Sequence, residues 1–149
     1  MTAARTQTDD QSRKPRVLVI DDEESNLETF ERVFRRDFQV MVARSVEEGA
    51  LLAQRHAFDV ALVDYAMPYA NGVEFLRLAP SIQPTMACMM LTAYADLDDV
   101  KEAYAAGLAR AIIMKPWERD AILRWVGNAH RMASLKRSVD VMNGAITRK

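Results

Sequence analysis

The segment RVLVIDDEE spans residues 16–24. Val17, Leu18, Val19 and Ile20 put apolar side chains on both faces of any strand they form, three of them β-branched. That pattern suits a strand buried between two layers of helices in a parallel sheet. Four acidic residues, Asp21 to Glu24, follow without a break. Working outward, short apolar runs recur at 38–42, 60–63, 86–91 and 111–114, their starts 22 to 26 residues apart. That interval is long enough for one helix and two turns, so each run predicts a strand–helix unit.

Helical spacing fills the intervals. Leu27, Phe30 and Val33/Phe34 repeat every three to four residues. Ser45-Val-Glu-Glu48 has the form of a capping box ahead of Ala50, Leu51 and Leu52, in which Ser45 accepts an N3 amide and Glu48 reaches back. Val73, Phe75 and Leu76 follow Gly72, and Val100, Ala103 and Tyr104 follow an acidic stretch at 96–99 that suits a helix N-terminus. Five such units predict an α/β (βα)5 doubly wound domain over 16–131, with right-handed crossovers placing helices on both faces. Residues 1–15 lack apolar periodicity and read as a flexible tail.

The chain has 149 residues, half of them apolar and 28% charged, which fits one domain with a packed core. Its net charge of −1 gives no overall argument for nucleic-acid or membrane binding. The charge is unevenly spread: residues 1–115 carry 13 basic and 18 acidic side chains, and 116–149 carry 7 and 3. A lone cysteine, Cys88, excludes an intramolecular disulfide and reads as a buried, inert thiol. No apolar run approaches the roughly 18 residues of a membrane span, and the N-terminus carries no signal-peptide pattern; a cytoplasmic location is the expectation. His56 and His130 both read as solvated helix residues without metal or catalytic partners.

From 118 a helical pattern runs through Ile122, Trp125, Val126 and Ala129, then through Met132, Leu135, Val139, Met142 and Ile146. The last five alternate steps of three and four, the seam of a coiled coil, so 132–149 reads as a helical extension suited to a parallel homodimer. The basic bias after 116 reads as a solvated helix face, with direct nucleic-acid binding the weaker alternative.

In open α/β sheets ligands bind beyond the C-terminal ends of the strands. Those ends carry Asp21-Asp22, Asp64, Thr92 and Lys115-Pro116, while the second strand ends in Ala43-Arg44-Ser45. A strand order of 2-1-3-4-5 makes the four contributing strands neighbours and leaves the second at an edge. Three converging carboxylates repel one another and call for a cation, and hard oxygen ligands without His or Cys favour Mg²⁺ over zinc. With a lysine and a hydroxyl added, the set suits a transferring phosphoryl group attacked in line by a carboxylate.

VLVIDDEE (17–24), VALVDYAMPYANG (60–72), MLTAYAD (90–96) and IIMKPW (112–117), in this order and spacing, resemble the receiver domain of two-component response regulators. The resemblance covers about 16–131. It implies that Asp64 is phosphorylated by a sensor histidine kinase or phosphotransfer protein. It further implies that Asp22, Asp64 and the backbone carbonyl of Ala66 ligate Mg²⁺, with Asp21 helping through water. Lys115 would contact the phosphoryl group, Thr92 would move towards it as a switch, and Pro116 would follow a cis peptide bond. The switching face would carry Tyr104, Ile112 and Trp117. Departures from the family pattern are Ile112, where an aromatic is usual, and Asn71, where Asp is usual. Bulky Tyr94, two residues past Thr92, is expected to shield an acyl phosphate from water. The resemblance implies a module that catalyses only its own phosphorylation and dephosphorylation and signals to a downstream effector. Two readings stand beside it: an interaction module working without phosphorylation, and an N-terminal fragment of a larger effector. A phosphohydrolase on the same sheet ranks last, because no Asp-x-Asp motif, P-loop or glycine-rich dinucleotide turn is present.

Overall fold

The computed structural model describes residues 13–147, without the side chains of Arg137 and 144–147. Five strands, β1 (Arg16–Ile20), β2 (Gln39–Ala43), β3 (Val60–Asp64), β4 (Ala87–Thr92) and β5 (Ala111–Met114), alternate with five helices. The helices are α1 (Glu24–Phe34), α2 (Val46–Arg55), α3 (Gly72–Ile82), α4 (Asp98–Ala105) and α5 (Arg119–Thr147). All strand pairs are parallel and the order is β2-β1-β3-β4-β5, as expected from the distribution of polar strand ends. β2, which contributes no polar end group, is one edge. Residues 1–12 of the expected tail lie outside the described residues. Within its last three residues, the Pro15 carbonyl accepts from Gln39 N–H at 2.9 Å, and Arg13 pairs with Asp59 at 3.3 Å.

Strand alternation divides the core in two. Leu18, Ile20, Ala61, Val63, Cys88 and Met90 face α2, α3 and α4, where they meet Ala53, Phe75, Leu76 and Val100. Val17, Val19, Val60, Leu62, Met89 and Leu91 face α1 and α5, where they meet Leu27, Phe30, Phe34, Ile122 and Val126. Each fully buried Val, Leu, Ile, Phe or Met side chain contributes roughly 1.5–3 kcal/mol of transfer free energy, so the central strands are held rigidly from both sides. Among the described residues, no helix is long and apolar enough to cross a membrane.

Ser45 caps α2 by accepting from Glu48 N–H at 3.0 Å, but the Glu48 carboxylate reaches one residue further back than a capping box, to Arg44 N–H. Tyr104 is exposed, so α4 buries only Val100 and Ala103. Trp117 does not join Tyr104 and Ile112 on one face. Its ring packs against Phe30 and Phe34 of α1, with centroids 5.7 and 5.4 Å away, as part of the apolar cluster on that side of the sheet. His130 is buried rather than solvated, with Nδ1 3.5 Å from Asp59 Oδ2 beneath β3. It lies four residues after Val126 and four before buried Ser134, on the inner row of α5. Beyond this row α5 continues unbroken, and Met132, Leu135, Val139 and Met142 are all more than half exposed.

Candidate functional site

The site lies where β1, β3, β4 and β5 end. Asp21, Asp22 and Asp64 each present a carboxylate oxygen within 4.8 Å of the others, an arrangement able to hold a cation. Asp21 and Asp64 are buried and Asp22 is half-buried. Asp21 is fixed by two donors, Glu23 N–H at 2.9 Å and Asn26 Nδ2 at 3.1 Å, so its orientation is set by the first turn of α1. Asn26 was not singled out by its sequence context; a polar residue five past the strand-end Asp is its only signal.

Lys115 projects inward after β5. Its ammonium donates to Asp64 Oδ1 and stands 3.9 Å from Asp21 Oδ2. The expected cis bond joins Lys115 to Pro116, and Lys115 N–H donates to the Thr92 carbonyl at 3.0 Å, so β5 and β4 enter the site as one piece. Burial pushes the Asp64 carboxyl above its ordinary value, the Lys115 hydrogen bond opposes that rise, and Asp21 adds to it. Buried carboxylates therefore sit beside a single lysine, and their excess negative charge favours a further cation.

Thr92 is buried, and its Oγ1 accepts from Tyr94 N–H at 2.9 Å, which leaves the hydroxyl proton available to an anion. Ala66 is exposed in the loop after β3, and the Tyr94 side chain is exposed in the loop after β4. Gly72, the first residue of α3, approaches Asp64 closely: a Cβ there would stand 2.5 Å from the Asp64 carbonyl oxygen. Beside the carboxylates a cleft of about 590 Å³ opens between α1 and the turn after β5, lined by Asp21, Asn26, Phe30, Lys115, Pro116 and Trp117.

Tyr65 and Asp99 also join the site. The Tyr65 hydroxyl donates to the Asp99 carboxylate, at 2.8 Å to Oδ2 and 3.1 Å to Oδ1, and Asn71 Nδ2 donates to the same Oδ2 at 3.2 Å. That carboxylate raises the Tyr65 phenol above its usual value. Asn71 also caps α3 by accepting from Val73 N–H at 2.9 Å.

Residues 17–126 match the family model of the response regulator receiver domain. The hydrogenase transcriptional regulatory protein HoxA of Bradyrhizobium diazoefficiens is 29% identical over 128 residues, covering 83% of this chain and 26% of HoxA. The solved structure of an adenylate cyclase from Rhodopirellula baltica superposes with a TM-score of 0.82 at 28% identity, covering 88% of this chain and 98% of that one. A response regulator receiver domain from Clostridium thermocellum gives a TM-score of 0.75 at 31% identity, covering 81% and 98%. The chain spans about a quarter of the length of such curated relatives. Sheet order, strand-end residues and the family match agree, and the chain belongs to the response regulator receiver domains of two-component signalling.

Proposed function

We propose that Asp64 is the phosphoacceptor of this receiver, taking a phosphoryl group from a phosphohistidine of a sensor kinase or phosphotransfer protein in the cytoplasm. The observation that carries this reading is the gathering of Asp21, Asp22 and Asp64 within 4.8 Å, with Lys115 bonded to Asp64, at the strand ends. A carboxylate oxygen of Asp64 attacks phosphorus, the bond from phosphorus to the donor imidazole nitrogen breaks, and that nitrogen takes up a proton as it leaves. Mg²⁺ would be held by Asp22, Asp64 and the Ala66 carbonyl, with Asp21 helping through water, and when bound it supplies positive charge to the phosphoryl oxygens. Lys115 moves from pairing the carboxylate to pairing the phosphoryl group, and the Thr92 hydroxyl donates to it. The module catalyses only its own phosphorylation and dephosphorylation.

Residues 132–149 act in this proposal as the helical link to an effector and as a dimer seam. Met132, Leu135 and Val139 stand above a groove of about 470 Å³ that is completed by Leu76, Met86 and Leu108 at the other end of the sheet, which gives a second copy an apolar surface broader than the helix alone. Light scattering of the full chain checks this: a dimer is expected, and a monomer both with and without a phosphoryl mimic contradicts it.

The phosphoacceptor reading is tested through Trp117, which shares the cleft with Asp21 and Lys115. Beryllium fluoride should change its fluorescence saturably, only with Mg²⁺ present and not in Asp64→Asn. A response independent of Mg²⁺ or of Asp64 would contradict it.

A further inference from the structure

Tyr65 follows the proposed phosphoacceptor directly, and its backbone is fixed on both sides. Its N–H donates to the Leu91 carbonyl at 3.1 Å, and its own carbonyl accepts from Gly72 N–H at 2.9 Å. The phenol is therefore held by both β4 and α3, and it reaches out to Asp99 in the first turn of α4. Asp99 takes a second donor, Asn71, from the same loop. α4 has only eight residues and buries only Val100 and Ala103, and its N-cap residue Leu97 offers no side-chain cap. A helix so lightly packed belongs to the low-stability end of a domain, where one well-made polar contact has leverage on its position.

A second path reaches the same turn of α4. Tyr94 N–H donates to Thr92 Oγ1 at 2.9 Å, and Leu97 N–H donates to the Tyr94 carbonyl at 3.4 Å. Displacement of Thr92 towards a phosphoryl group is thus carried through 93–97 to α4, whereas Tyr65 holds α4 to the loop after β3. The two paths oppose each other.

We infer that the Tyr65–Asp99 hydrogen bond is a latch that holds α4 in its unphosphorylated position and sets how much phosphoryl binding is needed to move it. Tyr65 is a positioning residue here, acting on the Asp64 site through α4. This rests on the phosphoacceptor reading of Asp64. By linkage, an interaction made only in the unphosphorylated arrangement weakens phosphoryl binding by the same factor by which phosphoryl binding weakens it.

The test is calorimetric titration of the full chain with beryllium fluoride in saturating Mg²⁺. Tyr65→Phe keeps the ring and removes the hydroxyl, and it should bind about five- to tenfold tighter than wild type, the lower part of the usual coupling range because the pair is partly solvated. Asp99→Ala, which also releases Asn71, should shift affinity in the same direction by at least as much, and the double variant should gain nothing beyond Asp99→Ala. Structural damage to the site would weaken binding instead, so the direction separates a latch from a scaffold. Wild-type binding with unchanged or weaker affinity in Tyr65→Phe overturns the latch alone. A wild type that does not bind beryllium fluoride overturns the phosphoacceptor reading, and the latch with it.

Discussion

Gly72→Ala tests how tightly the fold fixes the proposed phosphoacceptor. The added methyl would lie 2.5 Å from the Asp64 carbonyl oxygen, 3.0 Å from Val63 Cγ1 and 3.1 Å from Met90 Cε, where ordinary contact begins at 3.4 Å. The largest shortfall, about 0.9 Å, falls on backbone. β3 pairs with β4 along its whole length and with β1 as far as Val63, and it is buried throughout, so the carbonyl has little room to retreat. α3 must back away or Asp64 must tilt. Overpacking of this kind costs about 1–3 kcal/mol, or a fall of about 2–4 °C in Tm per kcal/mol for a domain of this size. A displacement approaching 1 Å at the reacting group slows an oriented transfer by up to ~10²-fold. Gly49→Ala is the control: its methyl would stand 2.4 Å from Ile20 Cδ1, the end of a side chain that can change rotamer. Thermal melts and phosphorylation rates with a small phosphodonor should therefore separate the two variants. Gly49→Ala should lose stability and keep its rate within a few fold; Gly72→Ala should lose both. A Gly72→Ala variant with wild-type Tm and rate would refute the reasoning.

Lys115→Met leaves the three clustered carboxylates without their lysine, so its Tm should rise more steeply with Mg²⁺ than the wild type's; stabilisation reaches about 2.7 kcal/mol at a hundredfold excess over Kd. An equal Mg²⁺ response in the two proteins would show that the lysine does not offset the repulsion. Tyr94→Ala should lose its phosphoryl group faster than wild type if the exposed ring screens Asp64 from water, and an unchanged half-life in a dephosphorylation time course would dismiss that role. Burial pushes the Cys88 thiol up to about 12 from 9.0. Between these values the unfolded chain has lost the proton and the folded chain keeps it, so stability falls as pH rises through that window, by up to about 1.4 kcal/mol per unit. Urea midpoints at about pH 8 and about pH 10 should therefore diverge more in wild type than in Cys88→Ala, and equal divergence would count against a buried neutral thiol.

The sheet was legible because each buried strand is an unbroken apolar run ending in one chemically distinct residue. The order 2-1-3-4-5 makes Asp22, Asp64, Thr92 and Lys115 neighbours and leaves the silent second strand at an edge, so topology and site support each other. Residues were misread where burial depends on the phase of a helix rather than on residue type. His130, polar and next to Arg131, reads as solvated, yet the four-residue row Ile122, Val126, His130, Ser134 places it inside. The family resemblance implies a switching face that carries Trp117 with Tyr104 and Ile112, yet its ring packs against Phe30 and Phe34, a long-range contact that no local pattern marks. The Tyr65–Asp99 pair joins residues 34 positions apart across two loops, and no local pattern marks such a contact.

The most direct measurement of the central claim is the intact mass of the full chain after incubation with Mg²⁺ and a small phosphodonor. One added phosphoryl group is predicted for wild type, lost on removing Mg²⁺ and absent in Asp64→Asn. An unmodified wild type, or an Asp64→Asn variant phosphorylated to the same extent, would contradict the account.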